Sequence, residues 1–253
     1  MNKIGILSIL IIPFTLMTNE PARAVAFGLD VTIRDFTISH PDMEATISGL
    51  DTGAVQSTLG ADGKPVFNAA GAGSSFSTEE NFNQWYNDVP GVNLTTTKTL
   101  TLDNTITSDP DIFTFTDSTF FPIDGELFGN EGLPHNYHFT VELHSAFTYQ
   151  GGEIFSFTGD DDLWVFINGE LAVDLGGIHG AVSGSVDLDT LGLVAGNTYD
   201  FDLFFAERHT TQSNFRIDTS IALHQVPEPA TVWLLGPSLI GLIGLARRKK
   251  SIQ

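Results

Sequence analysis

Residues 159–169 read GDDDLWVFING, and their reading decides the fold. Three consecutive carboxylates, Asp160, Asp161 and Asp162, run straight into Leu163, Trp164, Val165, Phe166 and Ile167. Five apolar residues in a row must be buried. Asn168-Gly169 is a dipeptide favoured in two-residue type I′ hairpin turns. The stretch therefore predicts an inward-leading strand that folds back on Glu170–Asp174, with adjacent acids at its mouth. Three like charges side by side repel one another. A cation at the strand end neutralises them, and hard carboxylate oxygens suit calcium better than zinc or copper. Calcium takes roughly six to eight oxygens, so other loops must supply the remaining ligands.

Moving outward, the chain is punctuated as an all-β protein. Strand-like runs cover Leu29–Phe36, Leu94–Ile106, Ile112–Phe121, Tyr137–Leu143, Ala146–Tyr149, Ile154–Phe157, Gly184–Leu188, Tyr199–Ala206 and Asn214–Leu223. Asp124-Gly125, Gly151-Gly152, Gly176-Gly177 and Gly196-Asn197 separate several of them. Many short strands at this spacing predict an antiparallel β-sandwich or barrel. Residues 48–75 are rich in small residues and read as loop with one or two short strands. One short helix is expected near residues 78–89. Ser77 with Glu80 reads as a capping box, Phe82, Trp85, Tyr86 and Val89 share one face, and Pro90-Gly91 ends it. That aromatic face is expected to pack into the core, as is Trp164.

The 253 residues suffice for one large β domain or two small ones. The formal charge is −20, but the ends hide how acidic the body is. Residues 25–226 hold five Lys or Arg against 29 Asp or Glu, a net charge of −24. Such a body repels nucleic acid and anionic lipid and attracts divalent cations, unless the acids serve only solubility. The absence of cysteine excludes disulfides and thiolate metal sites.

Both ends read as addresses. Lys3, the apolar run Ile4–Met17 and Ala22-Arg23-Ala24 form a signal-peptide pattern over residues 1–24, the alternative being an uncleaved anchor. At the other end, residues 226–253 contain Val226-Pro227-Glu228-Pro229-Ala230, an apolar run Thr231–Ala246, and Arg247-Arg248-Lys249-Lys250. This order resembles the PEP-CTERM sorting signal of Gram-negative bacteria. The resemblance implies an exosortase partner, a short transmembrane helix as the membrane contact, and delivery to the cell surface or an exopolysaccharide matrix. The β domain would then occupy residues 25–225.

The central stretch, Phe155-x-x-x-Gly159-Asp160-Asp161 followed by an apolar run and Asn168-Gly169, resembles the carbohydrate-binding domain named for the anthrax protective antigen, which includes yeast flocculins and adhesins. The resemblance implies that Asp160 and Asp161 are joined by a cis peptide and hold a calcium ion that binds sugar hydroxyls. It also implies an Asn and carbonyls from a later loop, for which Asn214 is the best match. Two departures stand out. Asp162 replaces a glycine and either adds a ligand or narrows the sugar pocket, and Asn168 replaces a second Asp. Most of residues 29–223 is also similar to the bacterial fibro-slime domain. The matching stretches are Thr32–Phe36 with His40-Pro41-Asp42, Asp62–Pro65, Phe82–Tyr86, Gly159–Asp162, Asp174–His179, and Phe205–His209 with Ser213–Phe215.

Further candidates for metal or sugar contact are Asp162, His179, Arg208 and His209, with hydrogen-bonded structural roles as the alternative for the histidines. Glu207-Arg208 reads as a structural ion pair or a clamp on the Asp loop. Asp35, His40 and Asp42 read as turn residues rather than a second cation site. His135 and His138 are expected to face opposite sides. The sequence holds no nucleophile elbow, zinc-protease helix or phosphate loop, so no enzyme is expected. The expected function is calcium-dependent binding of a glycan or exopolysaccharide, in adhesion or biofilm association. A matrix protein with a purely stabilising calcium, and less so a polysaccharide hydrolase, are the alternatives.

Overall fold

The computed structural model describes residues 25–225. Its strands are β1 (Ala26–Phe36), β2 (Val55–Leu59), β3 (Pro65–Phe67), β4 (Asn93–Asp103), β5 (Phe113–Asp117), β6 (Phe139–Thr148), β7 (Ile154–Asp160), β8 (Asp162–Ile167), β9 (Glu170–Leu175), β10 (Val182–Asp187), β11 (Thr198–Glu207), β12 (Asn214–Thr219) and β13 (His224–Gln225). They form one antiparallel sheet in the order β10-β7-β12-β5-β4-β1-β6-β11-β8-β9-β2-β3, with β13 on β6. The expected all-β architecture is observed, as a sheet that curls over itself.

Curling brings the two ends of the sheet face to face. Phe157 of β7 and Phe215 of β12 pack on Phe205 of β11, and Phe155 of β7 packs on Phe201 of β11, at centroid distances of 5.0–6.2 Å. Gly184 of β10 lies so close to β9 that a Cβ there would sit 2.8 Å from Val173 Cγ1. Leu163, Val165 and Ile167 of β8 point into this inner core with Leu203 and Phe205.

The alternate residues of the same strands face a second core. Trp164 and Phe166 of β8 and Phe204 and Ala206 of β11 pack outward against Phe76, Phe82, Trp85 and Tyr86. β8 is thus buried on both faces, which explains why its sequence is apolar throughout instead of alternating. The turn at its end has φ of 54° at Asn168 and 78° at Gly169, with Ile167 paired to Glu170, as the type I′ reading requires.

Two local expectations differ from the structure. The helix is a single turn, α1 (Glu79–Phe82), and its cap is Thr78, whose hydroxyl accepts from the Asn81 N–H. Past Phe82 the chain tightens into turns, with the Gln84 N–H on the Asn81 carbonyl and the Trp85 N–H on the Phe82 carbonyl, and the Asn93 side chain donates to the carbonyls of Gln84 and Asn87. Its aromatic residues are nevertheless buried, as expected. The runs Tyr137–Leu143 and Ala146–Tyr149 are one continuous strand, β6, because His144 stays in register between Glu142 and Asp202. The signal-peptide and sorting-signal readings lie outside the described residues. Among the described residues no helix is long and apolar enough to cross a membrane.

Candidate functional site

The acid triplet sits where the chain crosses from one layer to the other. Asp160 ends β7 and pairs with Asn214 of β12, whereas Asp162 begins β8 and pairs with Ala206 of β11. Gly159 permits the approach, since a Cβ there would lie 2.2 Å from the Asn214 carbonyl oxygen. The Asp160–Asp161 peptide bond is cis. All three acids are buried, but their side chains have three different destinations.

Asp160 turns toward β12. Its carboxylate accepts from the Asn214 backbone N–H and, at 2.9 Å, from Asn214 Nδ2. Asp161 turns toward the loops. It accepts from the backbone N–H groups of His179 (3.0 Å) and Arg208 (3.1 Å). Burial and then the neighbouring Asp162 charge push its carboxyl up to about 8.

Asp162 turns the other way, into the outer core. Arg208 grips it through Nε at 2.6 Å and Nη2 at 3.0 Å, and the Gly177 N–H donates to it at 2.6 Å. The Arg208 guanidinium also donates to the carbonyls of Ser75 (2.7 Å) and Asp42 (3.2 Å) and lies on the rings of Phe76 and Trp85. Both side chains are 0% exposed. Asp162 and Arg208 are thus bonded to each other, and neither lines the cleft described below.

Glu207 is not the partner of Arg208 either. Adjacent residues at a strand end face opposite sides, and Glu207 points toward the acid pair. It is fully buried, its Oε1 accepts from the His209 N–H at 3.3 Å, and its Oε2 has no hydrogen-bond partner among the described residues. Burial, then the charges of Asp161 and Asp160, push it well above the usual carboxylate range. The sequence reading missed this residue as a site candidate, although the alternation of β11 could have separated it from Arg208.

A cleft of about 70 Å³ opens on Asp160 and Asp161, walled by Ile47, His179, His209, Thr211 and Gln212. Backbone hydrogen bonds from Gly49 to Ile178 and from Asp51 to Gly176 hold the loop that carries Ile47 over it. His179 reaches the cleft wall, but both ring nitrogens face carbonyl oxygens, those of Gly180 (2.9 Å) and Leu175 (3.2 Å). His209 lies 3.7 Å from Glu44, and its Nδ1 is buried without a partner.

The remaining candidates are structural. Asp42 accepts from Ser77 N–H and Trp85 Nε1, and Asp35 accepts from Phe128 N–H and Asn136 Nδ2. His135 pairs with Asp124 and His138 with Glu44, so the two do not converge.

The donors that would hold a hard cation lie at the cleft and just behind it. Asp160, Asp161 and Glu207 are buried carboxylates, and the Asn214 Oδ1 accepts no hydrogen bond among the described residues once Nδ2 is given to Asp160. The adjacent arginine is committed to Asp162. Among the described residues no three His, Asp or Glu side chains form a ready-made metal cage. An ion here would rest on the acid pair, Asn214 and loop carbonyls.

An antiparallel curled sheet with a buried acid pair at a loop-lined edge defines the class of protein. The PA14 domain family matches residues 85–230, more than half of the chain, and the chain belongs to that family. Among curated proteins it is 45% identical over 202 residues to protein psiQ of Dictyostelium discoideum, covering 75% of this chain and 20% of psiQ. It is 40% identical over 238 residues to protein psiR of the same organism, covering 88% of this chain and 24% of psiR. The chain thus spans about a fifth to a quarter of these relatives. Among solved structures, the PA14 sugar-binding domain from an RTX adhesin aligns over 78% of this chain and 93% of its own, at 12% identity and a TM-score of 0.36.

Proposed function

We propose that this chain is an exported surface or matrix protein that binds carbohydrate through a calcium ion held by Asp160, Asp161 and Asn214. One observation supports the proposal: Asp160 and Asp161 are buried at one open cleft with Glu207 buried behind them, and the arginine beside them is bonded to Asp162. Burying several carboxylates without counter-charge is costly, and a bound cation offsets that cost. Membership of the PA14 family supports a binding role over hydrolysis. The sequence resemblances to the fibro-slime domain and to the PEP-CTERM signal extend the proposal to exosortase-dependent export and biofilm association.

The ion would orient hydroxyls of a sugar lying on the rim, where Ile47 is exposed and Thr211 and Gln212 supply polar groups. The cleft itself, at about 70 Å³, is well below the ~300–1,000 Å³ of a typical ligand pocket. Its size suits an ion with its waters, and it keeps a second reading alive, in which calcium only stabilises a matrix protein.

A glycan array probed with and without calcium tests both. Retention that requires calcium and is lost in Asp161→Asn is the expected result. Calcium binding with no glycan retained would favour the matrix reading. Retention unaffected by a chelator would sink the calcium-dependent mechanism.

A further inference from the structure

Both ends of one short loop bond the acid pair. The Arg208 N–H donates to Asp161 at 3.1 Å, and the Asn214 side chain donates to Asp160 at 2.9 Å. Between them, His209, Thr211 and Gln212 wall the cleft. Residues 209–212 read His-Thr-Thr-Gln, with Thr211 and Gln212 exposed, so no apolar anchor holds them. Among the described residues, the side chains that bond this stretch are Glu207, from the strand just before it, and Glu44, 166 positions before Thr210. We propose that Glu44 is a positioning residue for the cleft, fixing the middle of the loop whose two ends bond Asp160 and Asp161. The proposal rests on the reading of that cleft as a cation site.

Glu44 is committed to this place by backbone and side chain together. Its N–H donates to the Arg208 carbonyl at 2.8 Å. Its Oε1 accepts from the Thr210 N–H at 2.7 Å and lies 3.1 Å from His138 Nε2. Its Oε2 lies 3.7 Å from His209 Nε2. The His138 side chain is buried just before β6, which gives the clasp a fixed base. Glu44 has φ of 53°, in the left-handed region that a residue other than glycine keeps only where its surroundings over-determine it. Burial raises its carboxyl, but hydrogen bonds with His138 and Thr210 outweigh that and hold the group below its usual range. The ionised form therefore makes the clasp.

The same residue begins the segment that carries Ile47 to another wall of the cleft. Gly49 and Asp51 of that segment are bonded to Ile178 and Gly176. Glu44 thus fastens the 208–212 loop to a segment that is itself tied to the third wall. Groups that orient metal ligands from behind typically cost about 10–100-fold in metal affinity when removed.

Two measurements on the full chain separate this role from the cation reading. Amide hydrogen exchange in excess chelator reads the loop, and calorimetric titration with calcium chloride reads the site. In Glu44→Ala, protection of the Thr210 amide should be lost and the calcium dissociation constant should rise about 10-fold or more, in a chain that thermal melting shows to be folded. Glu44→Gln keeps a side-chain oxygen for the Thr210 N–H and should restore most of both. An equal loss of affinity in Glu44→Gln and Glu44→Ala would mean that Glu44 acts only as a nearby negative charge, and would overturn the positioning role. So would a Thr210 amide unprotected in the wild type or equally protected in Glu44→Ala, or a calcium constant unchanged in Glu44→Ala. No calcium binding by the wild type would overturn the cation reading and the role of Glu44 with it, an outcome that the wild-type titration alone identifies.

Discussion

Glu142 and Asp161 are equally buried, each 4% exposed, yet their carboxyls move in opposite directions. Burial raises both. At Glu142 it is outweighed by hydrogen bonds from His144 and Lys64 and by the charges of Lys64 and Arg34, which hold the group down at about 2. At Asp161 the next charge is that of Asp162, and the group is pushed up to about 8. The outer face of β6 is a finished structural network, with Arg34 at 2.5 Å and His144 at 2.6 Å from the Glu142 oxygens. At the cleft edge the one nearby cation, Arg208, is bonded to Asp162 and only partly offsets the rise at Asp161. The difference teaches that burial alone does not mark a functional carboxylate; the count of cations spent on it does.

The sharpest way to break this contrast is to strip the cation from the one acid of the triplet that has it. Arg208→Met leaves Asp162 buried and unpaired, and also removes donors from the Ser75 and Asp42 carbonyls. Breaking a buried pair from one side costs about 3–5 kcal/mol, read as a drop in the urea midpoint. Arg208→Lys should recover only part, because a point charge cannot make the two-pronged contact to Asp162. A loss below about 1 kcal/mol, in the range of surface pairs, would mean that Asp162 and Arg208 are not the closed unit described above.

The next largest effect concerns the uncompensated side. Calcium at about 100 times its dissociation constant should stabilise the domain by about 2.7 kcal/mol. For a domain of this size that raises the thermal midpoint by about 5–10 °C. Asp160→Asn and Asp161→Asn should abolish the rise, while Glu142→Gln, although destabilising, should keep it. If a chelator leaves the wild-type midpoint unchanged, the missing counter-charge is supplied by something other than calcium.

Much of this was legible in the sequence, for physical reasons that also mark where reading fails. Leu163–Ile167 reads as a buried strand because five apolar residues followed by Asn-Gly have few other solutions. The aromatic set Phe82, Trp85 and Tyr86 reads as core, but the helix length does not. After one turn the backbone tightens at Gln84 and Trp85, and Asn93, a residue beyond the segment, holds the carbonyls of Gln84 and Asn87. Asp160 and Asp161 stand out as candidates from charge crowding and resemblance. The fate of Asp162 was not legible, because successive side chains change layers at a crossing that local pattern cannot see. Asn214 came from resemblance alone, since its contact with Asp160 spans 54 residues of sequence. Of the two readings of Glu207-Arg208, the structure has the clamp on the Asp loop, made by Arg208 on Asp162, and not the ion pair.

The smallest effect tests the finished network. Glu142 lies below its ordinary 4.5, so its contribution is present above that pH and is lost as pH falls toward about 2. His144 lies above its ordinary 6.5. Burial opposes its charge, but hydrogen bonds with Asp202 and Glu142 outweigh that and lift it to about 9. Its contribution is complete below 6.5 and is lost as pH rises through about 9. The network is therefore complete between those limits and weakens on both sides. The His144 side chain is 43% exposed, so solvent screening holds its share to about 1 kcal/mol or less. Urea midpoints at pH 6 and above pH 9, with calcium held saturating so that the cleft contributes equally, should show that alkaline loss in the wild type. His144→Gln should lack it, because the imidazole that loses its proton is gone. An alkaline loss of the same size in His144→Gln would show that the imidazole is not one of the cations holding Glu142 down, and the contrast with Asp161 would then rest on Arg34 and Lys64 alone.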